Sequence, residues 1–405
     1  MEALAIVYAI PVFLVLIALE VGVAWWQRRS VYRIDDAINS LSLGLLSQIT
    51  AVFTRLLTIG LYIVIFDHAR VMTMPAGSPV VWVGALVAYD FFYYWQHRLG
   101  HERTVLWAAH VVHHQSEQYN LTTALRQTST GWLLGWVFYV PMAIAGVPPP
   151  VFTVVALIDL LYQFWVHTEL VGSLGWFDRW FASPSNHRVH HAVNAQYLDR
   201  NYGGIFMVWD RMFGTFVDED ASDPPVYGTR APLRSWNPVW ANIEVYAGMG
   251  RDISLAGRVT DWWRVLVGRT GWRPVEAAAA MPSAPFDITR ELYAPAVSRA
   301  LLAYGIAQYA VLLAAGIQFL AMQRGRPIGA LVPFALWLVA SLTTLGIALE
   351  GRRVGVRLEQ ARLVLTVAGL WWTGAWFFIG PVEPTVLAVV TVWAVVSSVW
   401  VERAR

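Results

Sequence analysis

The chain has 405 residues, 57% hydrophobic and 14% charged, against about 25% charged in soluble domains, so it is read as a polytopic membrane protein. A net charge of +2 without a basic cluster points to no nucleic-acid partner. The absence of cysteine excludes disulfides, thiolate metal ligands, cysteine-bound clusters and a cysteine nucleophile.

In chain order, the apolar windows predict spans at 4–26, 45–66, 80–95, 132–147, 151–166, 298–322, 328–349, 361–379 and 385–401. The first is followed by Arg28 and Arg29 and lacks a basic lead-in, which reads as a retained anchor. The fourth and fifth are short and joined by Pro148, Pro149 and Pro150, as in a hairpin that does not cross fully. All 29 basic residues are arginine. Placing Arg28, Arg29 and Arg33 on the cytoplasmic side, and alternating from there, puts Arg352, Arg353, Arg357, Arg403 and Arg405 inside as well. Arg324 and Arg326 fall in a short outer loop. Within 217–297, the run from Asp261 to Val267 mixes tryptophan, aliphatic residues and arginine, as an interfacial amphipathic helix does. The last four spans contain no histidine and are expected to stand apart from the chemistry.

Nine of the ten histidines fall in four groups. His97 and His101 are four apart. His110, His113 and His114 repeat as i, i+3, i+4, and so do His187, His190 and His191. His167 ends an apolar run. On helices these spacings gather each group on one face, within an arc of about 100°. All nine are predicted on the cytoplasmic side, and His68 on the other. Imidazole suits iron, copper, zinc and nickel. Two four-coordinate zinc ions need at most eight protein ligands; nine histidines with room for oxygen fit two larger ions, and two irons are the proposal. Zinc is the competing metal. A buried, hydrogen-bonded core histidine is the ordinary reading for one imidazole alone, but not for two repeats plus three further positions.

Asp90 lies two turns deeper on the face of His97, where a carboxylate supports a ligand, sits near substrate, or makes a structural polar contact. Asp159, Gln163 and His167 form a similar stripe. Glu102 and Glu169 are placed to hydrogen-bond to metal ligands. Arg126 and Arg188 sit near the histidines, where they hold an anionic headgroup or a pterin, or simply support the ligands. Tyr93, Trp95 and Trp165 line a substrate tunnel or pack the core. Two irons beside a bilayer suggest O2 activation against an unactivated lipid C–H bond. No dinucleotide fingerprint is evident, so an external electron donor is required.

The ordered set His97/His101, His110/His113/His114, His167 and His187/His190/His191 resembles the signature of the fatty acid hydroxylase/sterol desaturase superfamily, over roughly 88–216. The stretches around it are similar to the alkylglycerol monooxygenase branch and its bacterial relatives. These include His97-Arg98-Leu99-Gly100-His101-Glu102, Tyr119-Asn120-Leu121-Thr122-Thr123, Asn201-Tyr202-Gly203-Gly204 and Trp209-Asp210-Arg211-Met212-Phe213-Gly214-Thr215-Phe216. The resemblance implies a di-iron centre that hydroxylates the carbon next to a glyceryl ether oxygen, with a tetrahydropterin as reductant. Asn186 and Gln163 depart from it, at places where relatives carry further histidines.

The expected architecture is therefore an all-α integral membrane protein, a bundle of about seven to nine spans with a cytoplasmic His-rich helical cap. Its regions are an N-terminal anchor (1–79), a catalytic region (80–216), a cytoplasmic or interfacial segment (217–297) and a C-terminal four-helix membrane module (298–405). An inner bacterial membrane is the expected location. The metal ligands are the nine grouped histidines, Glu102 and Asp90 are the catalytic candidates, and Arg126 is the cofactor-binding candidate. The partners are a membrane lipid, O2 and the electron donor. The alternatives are a sterol desaturase or fatty acyl hydroxylase on the same fold and, outside enzymes, a metal transporter.

Overall fold

The computed structural model describes residues 2–323, 325–377 and 380–404. Arg324, Arg405 and the Ile379 end of the eighth expected span lie outside them. Among the described residues there is no strand, only isolated bridges between loops. Two long helices open the chain, α1 (Glu2–Trp26) and α2 (Ile34–Ala69), followed by α3 (Pro79–Glu102) and α4 (Thr104–His114). Short α5 (Leu121–Ala124) and α6 (Val140–Ala145) precede α7 (Pro149–Trp165), α8 (Pro184–His191) and α9 (Val208–Phe213). Then come α10 (Pro238–Leu255), α11 (Val259–Val267) and α12 (Val275–Ala280). The C-terminal helices are α13 (Arg299–Met322), α14 (Ile328–Ala348), α15 (Arg353–Thr373) and α16 (Pro384–Ala404). Proline opens α3, α7, α8 and α10, where its missing N–H leaves no helical bond unmade.

Among the described residues, five helices are long and apolar enough to cross a bilayer: α1, α2, α13, α14 and α16. Helices α3 and α15 are as long but carry charges, and α7 has 17 residues. The expected span at 132–147 is not one continuous helix. It is broken into two 3-10 turns, Gly131–Leu133 and Gly135–Tyr139, and the short α6. Hydrophobicity alone suggested a crossing, but the glycines break the run and let it press on its neighbours. A Cβ at Gly135 would lie 2.9 Å from the Gln96 amide nitrogen.

The C-terminal helices do not form a separate body. Ile38, Leu45, Leu46 and Ile49 of α2 share one core with Leu312, Phe319, Phe334 and Leu342 of α13 and α14. Gly316 permits the close approach, since a Cβ there would be 2.5 Å from Leu45. Inside this bundle, Glu359 of α15 accepts from Tyr304 at 2.9 Å, Thr344 at 2.6 Å and the Arg362 guanidinium. A charge in such a place is tolerated because it is fully paired. The amphipathic stretch is realised as α11, with Val265 buried against Ala108 and Met249 while Trp262 and Trp263 are exposed.

Helices α3, α4 and α8 carry eight of the nine grouped histidines. Glu20 ties α1 to the segments that follow α4 and α7, accepting from the Leu121 backbone N–H at 2.8 Å, Thr168 at 2.5 Å and the Tyr32 hydroxyl.

Candidate metal centre

The nine grouped histidines meet as two adjoining sets. His97, His101, His110, His114 and His190 form one; His113, His167, His187 and His191 form the other. Within each set, one nitrogen from every ring lies within 4.8 Å of all the others. The i, i+3, i+4 repeats explain the division. His110 and His114, four apart, share one set, while His113 faces the second. In α8, His187 and His191 share a set and His190 crosses to its neighbour. Ser183 starts α8 by accepting from the Asn186 N–H, with Pro184 following. His68 is exposed at the far end of α2, outside both sets.

Backbone carbonyls aim the rings. His97 Nδ1 donates to the Tyr202 carbonyl at 2.8 Å, and His113 Nδ1 to that of Arg126 at 2.9 Å. His167 Nδ1 donates to Gln163 at 2.7 Å, and His190 Nδ1 to Arg200 at 2.9 Å. A carbonyl can only accept, so in each neutral ring the proton is on Nδ1 and Nε2 keeps its lone pair. Burial lowers the basicity of His97, His110, His114, His167, His187, His190 and His191, helped by neighbouring imidazoles, and pushes His113 down to about 4. These eight rings are therefore neutral at pH 7.

The lone pairs left over form a donor set that suits a cation. The Nε2 atoms of His97, His101 and His190 are buried and bonded to nothing. His113 and His167 point their Nε2 lone pairs at each other across 3.1 Å, and His191 lies 3.1 Å from His113 and 3.2 Å from His187. Two facing lone pairs cannot make a hydrogen bond. Nitrogens about 2.1 Å from a common ion would be spaced about 3.0 Å at right angles and about 3.4 Å in a tetrahedron. The all-nitrogen donor set suits a borderline transition metal rather than calcium or magnesium.

The other sequence candidates go elsewhere. Asp90 does not reach a ligand. It is fully buried and accepts from the Ile205 N–H at 2.6 Å, the Phe206 N–H at 3.2 Å and Trp209 Nε1 at 2.8 Å. It anchors the 202–209 loop, whose Tyr202 carbonyl holds His97. Helical register gave its face but not these partners. Glu102 turns to Arg98 at 2.8 Å, and Glu169 pairs with Arg29 at 3.2 Å. Arg126 is buried with its donors engaged by the Val112 carbonyl at 2.7 Å, Asn39 at 2.7 Å and Gln115 at 3.4 Å. Its own carbonyl, not its guanidinium, serves the site. Arg188 is likewise held by Glu219, Thr168 and Val171.

Three supports escaped the sequence reading. Tyr202 packs its ring against His97, His101 and His190. Asp210 accepts from the Tyr202 and Gly203 N–H groups, both at 2.8 Å, and from Thr215 at 2.6 Å. Burial pushes its carboxyl up to about 6. Asn201, at φ 55°, bonds the carbonyls of Asn186 and Val217. The runs at 201–204 and 209–216 contained the signal, but only as a resemblance.

A cavity of about 400 Å³ opens beneath the imidazoles, with His97, His110, His113 and His167 in its wall. Away from them it is mostly apolar, lined by Phe13, Leu14, Leu45, Leu160 and Leu161, and by Leu313 and Leu320 of α13. The C-terminal helices, expected to stand apart from the chemistry, thus shape its chamber. Tyr93 is in the wall, whereas Trp95 packs on Phe213 and Trp165 on Phe177.

The family described as Fatty acid hydroxylase matches residues 82–215, which hold all nine clustered histidines. The alkylglycerol monooxygenase of Homo sapiens is 33% identical over 360 residues, 88% of this chain and 80% of that protein. Its counterpart in Xenopus tropicalis is 35% identical over 355 residues, 87% of this chain and 79% of its own. The Danio rerio protein is 37% identical over 361 residues, 88% of this chain and 80% of its own. No solved structure matches the chain.

Proposed function

Since the chain belongs to the alkylglycerol monooxygenase family, we propose that it hydroxylates an ether lipid at the carbon beside the glyceryl ether oxygen, with two irons held by its nine clustered histidines. It is a membrane lipid monooxygenase. The observation that carries the proposal is the convergence of unpartnered imidazole lone pairs on the wall of a lipid-sized apolar cavity.

The five-histidine and four-histidine sets would each hold one metal ion. Bound there, the pair supplies the activation of O2 that an unactivated C–H bond requires, with two electrons from an external donor such as a tetrahydropterin. The protein's own residues do the rest. The carbonyls of Tyr202, Arg126, Gln163 and Arg200 lock the rings in one tautomer and orientation. Phe13, Leu14, Leu160, Leu161, Leu313 and Leu320 receive the alkyl chain and exclude water. One oxygen atom of O2 enters the substrate and the other leaves as water. The product is a hemiacetal, which collapses to an aldehyde and free glycerol. The arginine pattern favours the cytoplasmic side of the membrane for this site.

The test is a panel of glyceryl ethers, sterols and acyl lipids offered to iron-loaded protein with a tetrahydropterin and O2. Aldehyde formed from the glyceryl ether alone is the expected result. Oxidation confined to sterol or acyl chains would overturn the substrate assignment.

A further inference from the structure

A chain of polar side chains runs along the cavity wall beside the metal ligands. Asp159 and Gln163 of α7 and Tyr93 of α3 line the same chamber as His97 and His167. Asp159 is 2% exposed. Its Oδ2 accepts from Gln163 Nε2 at 2.7 Å, and the Tyr93 hydroxyl donates to Gln163 Oε1 at 2.6 Å. The Tyr93 ring lies 5.3 Å from that of His97.

Asp159 Oδ1 sits beside Asp90 Oδ1 at Gly204, so any proton shared by the two carboxyls lies between them and Oδ2 is left to accept. The amide nitrogen of Gln163 therefore faces Asp159 and its oxygen faces Tyr93. The remaining N–H of that amide is taken by the Asp159 backbone carbonyl at 3.4 Å. Tyr93 has one proton and gives it to Gln163. What remains for the cavity is the phenolic oxygen with its lone pairs. Gly204 keeps the arrangement tight, because a Cβ there would meet Asp159 Oδ1 at 2.8 Å, Tyr93 at 2.8 Å and Asp90 Oδ1 at 3.0 Å.

We propose that Tyr93 is a specificity residue of this cavity: its oxygen accepts a hydrogen bond from a free hydroxyl of the lipid headgroup, and Asp159 sets that polarity through Gln163. The inference rests on the glyceryl ether reading above and adds what distinguishes one such ether from another. A headgroup with a free hydroxyl beside the ether satisfies Tyr93. One with both hydroxyls alkylated brings only acceptors, which face the phenolic oxygen unpaired.

The experiment measures equilibrium binding of a 1-O-alkylglycerol and of its 2,3-di-O-methyl ether to the purified full chain without O2. Metal content is measured on each sample. Wild-type protein is expected to prefer the free diol by about tenfold, the scale of one hydrogen bond in a dry site. Tyr93→Phe should bring the two ligands to near parity with metal content unchanged. Gln163→Leu supplies a second route. It removes the acceptor of the Tyr93 proton and leaves the backbone carbonyl that holds His167, so the freed hydroxyl can donate and preference should move toward the dimethyl ether. A diol preference that persists in both metal-replete variants would overturn the inference. Wild-type protein that binds both ligands alike would also overturn it, and leaves the enzymatic reading standing if glyceryl ethers still yield aldehyde. If no glyceryl ether yields aldehyde, the functional reading fails instead.

Discussion

Asp210 touches no imidazole, yet the orientation of His97 rests on it. Its carboxylate gathers the Tyr202 and Gly203 N–H groups and the Thr215 hydroxyl at 2.6–2.8 Å. This fixes the peptide whose carbonyl takes the His97 Nδ1 proton at 2.8 Å. In Asp210→Asn one of the two backbone N–H groups faces an amide NH2 and loses its acceptor. Leaving a buried N–H unpaired costs about 1–3 kcal/mol. The amide also escapes the burial penalty that pushes the carboxyl up to about 6, which brings the net expectation to about 1–2 kcal/mol. The Tyr202 carbonyl drifts and His97 loses its orientation, so metal affinity should fall about 10–100-fold. Chelator competition on the purified variant measures the affinity, and thermal unfolding of the metal-free protein measures the stability. Wild-type affinity in a variant destabilised as expected would refute the link between this loop and the metal.

His113→Ala removes a nitrogen 3.1 Å from both His167 and His191, so metal content should fall by about half and lipid oxidation should cease; full metal and turnover would contradict its role. Glu102→Gln, read by steady-state assay beside metal analysis, should weaken metal binding and turnover together and only slightly: Glu102 holds Arg98, which donates to Tyr94, whose hydroxyl meets Thr215 at 3.0 Å, a donor to Asp210; turnover lost with metal binding intact would contradict this route. His68→Ala, exposed and outside both histidine sets, should change neither activity nor metal content. Metal-free protein should lose stability as pH falls. His113 is pushed down to about 4 in the fold, from about 6.5 in the unfolded chain, so below that value the unfolded state binds more protons. The loss should develop from about pH 6.5 down to about 4, and denaturation midpoints that stay flat across this window would contradict it.

The nine histidines were legible because the helical repeat converts i, i+3, i+4 into one face, and residue type alone names the donor. Their division into sets of five and four was not, since it depends on how α4 and α8 are rotated against α3. The carbonyls of Tyr202, Arg126, Gln163 and Arg200 were invisible for a simpler reason: every residue has one, so sequence does not mark those that act. Asp90 shows the limit of register, which placed it correctly under His97 but could not foresee the Ile205, Phe206 and Trp209 donors that engage it. Arg126 was noticed for its charge and matters through its backbone. The run at 132–147 looked like a span because hydropathy does not register how Gly131 and Gly135 permit tight turns. The part of α13 in the cavity was hidden because apolar residues facing a ligand read the same as apolar residues facing lipid.

The central claim is that the imidazole cage holds a pair of iron ions that work on an ether lipid. Elemental analysis of anaerobically purified protein, followed by O2 uptake on addition of a 1-O-alkylglycerol and a tetrahydropterin, tests it most directly. Two irons per chain and lipid-dependent O2 uptake are the expected result. Zinc alone, or iron-replete protein that consumes no O2 with the lipid present, would contradict it.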